Sequence, residues 1–184
     1  MNNSILNIIE KVRANSSKNE KIRLLSENKD NDLLKAVLER TYSPLIRYGI
    51  KYDTVPSVSG NGKELGIENL LPRLDMIPNG EIKGNAARSH LIEILRDADD
   101  EARELILGII NSTQKMGCNV SSINKGMGSG TIKEAAYMGA VSYDMKKVEA
   151  LFDKEGTLLS QHKLDGRFAN MVINNGTVSC ESRQ

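Results

Sequence analysis

The chain has 184 residues, of which 39% are hydrophobic, 27% charged and 4% aromatic. That length fits one domain, or one domain with an appendage, and is enough to build a real core. With 25 basic and 24 acidic residues the formal charge is +1, which excludes a highly charged disordered tail and a globally basic nucleic-acid coat.

In chain order, Ile5, Leu6, Ile8, Ile9 and Val12 recur at helical spacing behind Ser4, a good N-cap. Ser17-Lys18-Asn19-Glu20 has the form of a capping box and predicts a second helix carrying Ile22, Leu24 and Leu25. Asp30-Asn31-Asp32 starts a third through Leu33, Leu34, Val37 and Leu38. A looser stretch with Pro56 and Gly60-Asn61-Gly62 precedes a short helix from Ile67 to Leu71, which is expected to stop at Pro72. Gly84-Asn85 leads into Leu91, Ile92, Ile94 and Leu95, and Asp99-Asp100 opens Ala102 to Ile110. Shorter helical pieces are expected over Ile132 to Met138 and Asp144 to Phe152.

Near Gly156 the period changes. Extended runs are expected at Thr157-Leu158-Leu159, from Arg167 to Ile173, and at Thr177 to Cys180. The last two flank Asn175-Gly176, a strong hairpin signal. The prediction is a mainly α module over residues 1–150, followed by the opening strands of a second domain over 151–184. A lone hairpin is marginally stable, so the end at Ser182-Arg183-Gln184 reads as a truncation.

No apolar run reaches the roughly 18 residues of a membrane span, and Met1-Asn2-Asn3-Ser4 opens no secretory signal. Cys118 and Cys180 lack the spacing of a disulfide framework or zinc site, and His90 and His162 show no ligand pattern, so no metal site is assigned. The expectation is a soluble, cytoplasmic protein. Charge divides unevenly: +3 over residues 1–50, −4 over 51–114 and +2 over 115–184. The acidic run Asp97 to Glu101 reads as a solvated helix start. Met116, Met127, Met138 and Met145 read as core fillers.

The residues with chemical promise are Lys163-Leu164-Asp165-Gly166. Taken alone, K-x-D-G is weak, arising by chance in about one chain in twenty-five of this length, and Asp165-Gly166 could be a plain turn. As chemistry, it offers a lysine nucleophile for the α-phosphate of a nucleotide. A free lysine, with a pKa of about 10.4, needs burial or a neighbouring cation to act so.

Gln161-His162-Lys163-Leu164-Asp165-Gly166-Arg167-Phe168-Ala169-Asn170 resembles the first nucleotidyltransferase motif of ATP-dependent DNA ligases, and Ser182-Arg183-Gln184 resembles the start of their next motif, S-R-x-G. Asn28 to Lys35, Gly84-Asn85-Ala86-Ala87 and Gly117 to Lys125 are similar, in register, to the T-even bacteriophage type of that family. The resemblance implies a helical DNA-binding domain followed by the first strands of an α+β nucleotidyltransferase domain. It implies ATP as AMP donor, Mg²⁺, and nicked duplex DNA as substrate and partner. Lys163 would carry AMP; Gln161 would lie near the adenine; Asp165 and Gly166 would shape the loop; Arg183 would approach the nucleotide or the 5′-phosphate. The family pattern K-x-D-G-x-R is broken, because Arg167 follows the glycine directly and Phe168 stands at the arginine position. Arg167 either replaces the ribose contact or faces solvent.

Two loops that lead into helices, Lys83-Gly84-Asn85 and Gly117-Cys118-Asn119-Val120-Ser121, are the expected DNA contacts, with Lys125 as a phosphate partner. Glycine permits close backbone approach, and amides at a helix start attract phosphate. Both glycines could instead simply mark helix boundaries. Contacts of this kind would be independent of base sequence and would weaken with salt. The chain alone is expected to bind nicked DNA without sealing it. The alternative is a non-enzymatic DNA-binding module that retains a remnant of the lysine motif. A sliding clamp is a conceivable partner that no motif supports.

Overall fold

The computed structural model describes residues 4–50, 58–133, 144–157, 169–174 and 177–182. Helix α1 (Ile5–Ala14) is capped by the Ser4 hydroxyl, which accepts from the Asn7 amide at 3.2 Å, and buries Ile5, Ile8, Ile9 and Val12. A second acceptor comes from far along the chain: Glu101 Oε1 takes the Leu6 amide at 3.0 Å. In α2 (Lys18–Glu27) only half of the capping box forms. Ser17 accepts from the Glu20 amide, while the Glu20 carboxylate turns to Arg23. Helix α3 (Asp32–Tyr42) is capped by Asn31, whose side chain accepts from Leu34 N at 2.9 Å.

Helix α4 (Ile67–Asp75) corrects the expected stop at Pro72, because it runs straight through that residue. Proline forfeits one backbone bond, but Leu70 and Leu74, on either side of it, are fully buried. Each such side chain is worth up to about 1.5–3 kcal/mol. The apolar face therefore decides the outcome. One bidentate contact from Arg40 to Asp75, with bonds of 2.8 and 2.5 Å, ties α3 to α4.

Helix α5 (Gly84–Asp97) and helix α6 (Asp100–Ile110) follow. The Asp99 side chain caps α6 by accepting from Ala102 N at 2.6 Å. Leu105, Ile106 and Ile109 of α6 are fully buried, and α6 packs on both α3 and α4. Asp99 caps α6 and Asp100 is solvated in its first turn, as the reading of a solvated helix start has it, but Asp97 at the end of α5 is buried, which corrects that reading for this residue. Asp97 is 5% exposed and its carboxylate accepts from Arg73 (2.7 Å), Asn61 (2.6 Å) and Lys63 (3.1 Å). Those three donors hold its pKa far below the usual carboxylate range. Beside it, a parallel bridge pairs Leu65 with Ala98 and pins the segment before α4 to the α5–α6 junction.

The short helix α7 (Val120–Met127) packs on α2 more extensively than any other helix pair among the described residues. Ile132 and Lys133 are described and are not helical, and residues 134–138 of the helix expected there lie outside the described residues. Helix α8 (Met145–Glu155) buries none of its residues. Strands β1 (Ala169–Asn174) and β2 (Thr177–Ser182) form an antiparallel pair whose register matches Asn174 with Thr177 and Met171 with Cys180. Asn175, Gly176 and the stretch from Leu158 to Phe168 are outside the described residues. The chain divides into two compact units, Met1–Ala135 and Ala136–Gln184. The buried apolar core of the described residues belongs to the first, and the boundary expected after residue 150 falls inside α8. No helix among the described residues is long and apolar enough to cross a membrane.

Candidate nucleic-acid interface

Within the first unit, Lys83, Gly84 and Asn85 sit together at the start of α5, all exposed. Lys83 is the N-cap residue but its side chain makes no capping bond, and Gly84 takes φ +60°. An L-side chain resists that left-handed backbone. A Cβ there would meet open space, so glycine is required by conformation rather than by crowding. The amides of Gly84, Asn85 and Ala86 have no acceptor among the described residues. An uncapped helix start carries roughly half a positive charge on such amides, and the geometry suits an anion. An open cleft of about 330 Å³ runs beside it, lined by Tyr48, Ile77, Ile82, Lys83, Gly84, Asn85 and Arg88.

The second group gathers at the start of α7. Gly117 has φ +62° and is exposed, as are Asn119, Ser121 and Lys125. Here the helix start is partly satisfied, because Asn119 Oδ1 accepts from both the amide (2.9 Å) and the hydroxyl (2.7 Å) of Ser122. Asn119 therefore works first as a helix cap. The backbone leading in is firmly held. Gln114 N donates to the Tyr42 hydroxyl at 3.1 Å, Gln114 O accepts from Arg13 at 3.2 Å, and the buried Gln114 amide donates to Thr41 Oγ1 and Leu105 O, both at 3.1 Å. Lys21 donates to the Met116 carbonyl. No hydrogen bond or ion pair among the described residues joins this group to the one on α5.

Two residues here were not singled out from sequence. Arg88 is exposed one turn beyond Gly84, an i,i+4 spacing that puts both on one helix face. Lys21 is only 9% exposed although it is a lysine; its place four residues before the buried Leu25, on the same face, was the available signal. Gln161, Lys163, Asp165, Gly166, Arg167 and Arg183 lie outside the described residues. Among the described residues no cluster of His, Cys, Asp or Glu could hold a metal ion. Burial raises the pKa of the half-buried Cys118.

No family model matches the chain. The DNA ligase of Enterobacteria phage T4 is 32% identical over 148 residues, covering 78% of this chain and 30% of the phage protein. The DNA ligase of Enterobacteria phage T6 matches to the same extent. The solved structures named Pmar-Lig_Pre and Pmar-Lig_PreS3 superpose with TM-scores of 0.67 and 0.60, covering 98% of this chain and 42% of each of theirs. At 18% identity these two establish likeness of fold alone. The chain thus spans about 30% of the length of the curated relatives it matches, and within that span it is a relative of the DNA ligases of the T-even phages.

Proposed function

We propose that this chain is the DNA-gripping and nucleotide-accepting part of an ATP-dependent ligase that seals nicks in duplex DNA. The observation that carries the reading is the first turn of α5: three amides without acceptors among the described residues, exposed between Lys83 and Arg88, where the Lys83 side chain supplies no cap and Gly84 takes φ +60°. Main-chain donors aimed at phosphate, with flanking cations, hold DNA without reading bases. Gly117, Asn119, Ser121 and Lys125 at the start of α7 form the second contact in this reading. The similarity to the phage ligases supports DNA as the partner.

For the chemistry, Lys163 Nζ attacks the α-phosphorus of ATP, a lysyl–AMP bond forms and pyrophosphate leaves. AMP then passes to the 5′-phosphate of a nick, and the 3′-hydroxyl displaces it to join the strand. Mg²⁺ entering with the nucleotide neutralises charge on its phosphates. Gln161, Asp165, Gly166, Arg167 and Arg183 surround the nucleotide in this reading, and residues 151–184 open the nucleotidyltransferase domain. Support for this half is the motif itself and its relatives.

The test is an electrophoretic comparison of nicked, intact and single-stranded DNA at about 50 and 200 mM salt, where a few phosphate contacts already cost orders of magnitude in affinity. Preference for nicked duplex, weakening with salt, is expected. Equal binding to all three, or none to nicked duplex, overturns the reading. Lys163→Ala should bind nicked duplex within about twofold of the parent, because the grip is placed in the helical unit.

A further inference from the structure

Two charged side chains are buried among the described residues, and they are treated differently. Asp97 is met by three donors. Lys21 has no acidic partner among the described residues and spends its ammonium on the Met116 carbonyl. A buried lysine is seldom left without a carboxylate, and no carboxylate among the described residues cancels its charge where it sits. It sits directly under the second candidate contact. A Cβ built on Gly117 would lie 2.8 Å from Lys21 Nζ, so the ammonium and the glycine backbone touch. Glycine here meets two demands, a φ of +62° and the space Lys21 occupies.

The surroundings make this a rigid unit. Tyr42 and Arg13 fix Gln114, two residues before Met116, and Asn119 caps α7 three residues after it. Helices α2 and α7 meet closely at Gly126, where a Cβ would lie 2.6 Å from Leu25 Cβ. Lys21 and the start of α7 therefore move as one body. Resting on the reading of the α7 start as a DNA contact, we propose that Lys21 is a positioning residue for DNA binding. Its ammonium holds the Met116–Asn119 backbone in the shape that meets a duplex phosphate, and it places a positive charge behind that phosphate. It touches no DNA itself. Charge at this depth is screened less than charge on the surface.

The test uses the full chain and a labelled nicked duplex, with Lys21→Met, Lys21→Arg and, as a destabilised control in α6 away from the α2–α7 joint, Ile106→Val. Lys21→Met should lose about tenfold in affinity at 50 mM salt and nearly as much at 200 mM, because a charge at this depth is screened little. Lys21→Arg should stay within about threefold of the parent at both, and Ile106→Val should match the parent while folded. If Lys21→Met fails to fold, Gly117→Ala keeps the charge but displaces it; its loss should then be equal at both salts. Parental affinity for Lys21→Met, or for Gly117→Ala in its place, overturns the proposal, as does a loss no larger than that of Ile106→Val. Failure of the unmodified chain to bind nicked duplex overturns the underlying reading instead.

Discussion

Replacing Gly126 by alanine probes the joint that holds the start of α7, the second candidate contact. A methyl at this position would lie 2.6 Å from Leu25 Cβ and 2.9 Å from the Ile22 carbonyl oxygen, both on α2. Carbon atoms settle at about 3.5–4.0 Å, so α2 and α7 must part by roughly 1 Å. Overpacking of this kind costs about 1–3 kcal/mol, and alanine returns up to about 1 kcal/mol in helix propensity. A net loss of about 1–2 kcal/mol follows, or roughly 3–8 °C in the thermal midpoint of a unit this size. Thermal and urea unfolding followed by circular dichroism measure it. Lys125→Ala, one residue earlier and exposed, is the control and should stay within about 0.5 kcal/mol of the parent. A Gly126→Ala midpoint equal to or above the parent's would refute the claim that these helices are at their closest approach.

Asp97 gives a pH-dependent test. Its pKa is lowered in the folded chain, so its contribution is complete above the ordinary carboxylate value, about 3.9, and is lost as pH falls below it. Asp97→Asn should therefore be less stable than the parent at pH 7, and the gap in urea midpoint should narrow as pH drops below about 4; a gap independent of pH refutes the assignment. At Gly84 the strain is conformational and the space is open. Gly84→Ala should cost about 1–2 kcal/mol, and Gly84→Asn should cost less because asparagine tolerates the left-handed region; equal losses in urea unfolding would show that the strain is not local.

Most helices were legible because their signals are local. Ser4, Asn31 and Asp99 cap the helices they precede, and the apolar spacing in α1, α3 and α6 matches the faces that are buried. What escaped depended on partners distant in sequence. Pro72 looked like a stop because the burial of Leu70 and Leu74 cannot be seen in their neighbours. Asp97 looked like a solvated charge because Asn61, Lys63 and Arg73 reach it across 24 to 36 residues. For the site, Gly84 and Gly117 were visible as glycines ahead of helices, and the structure supplies their positive φ. Lys21 was hidden, since nothing in Lys18 to Glu27 says that its ammonium meets the Met116 carbonyl, 95 residues away. The motif around Lys163 stands as the sequence and its relatives leave it.

Helix α7 has eight residues. Isolated helices shorter than about 12–15 residues are marginal in water, so a peptide cut from this stretch would be mostly unstructured. Its start exists as an oriented set of amides only while α2 lies against it. On the proposed function, heating or denaturant should accordingly abolish the contact made by α7 in the same transition that melts the helical unit. By mass action the reverse holds as well: bound DNA should raise the melting temperature of the whole unit rather than merely order one loop.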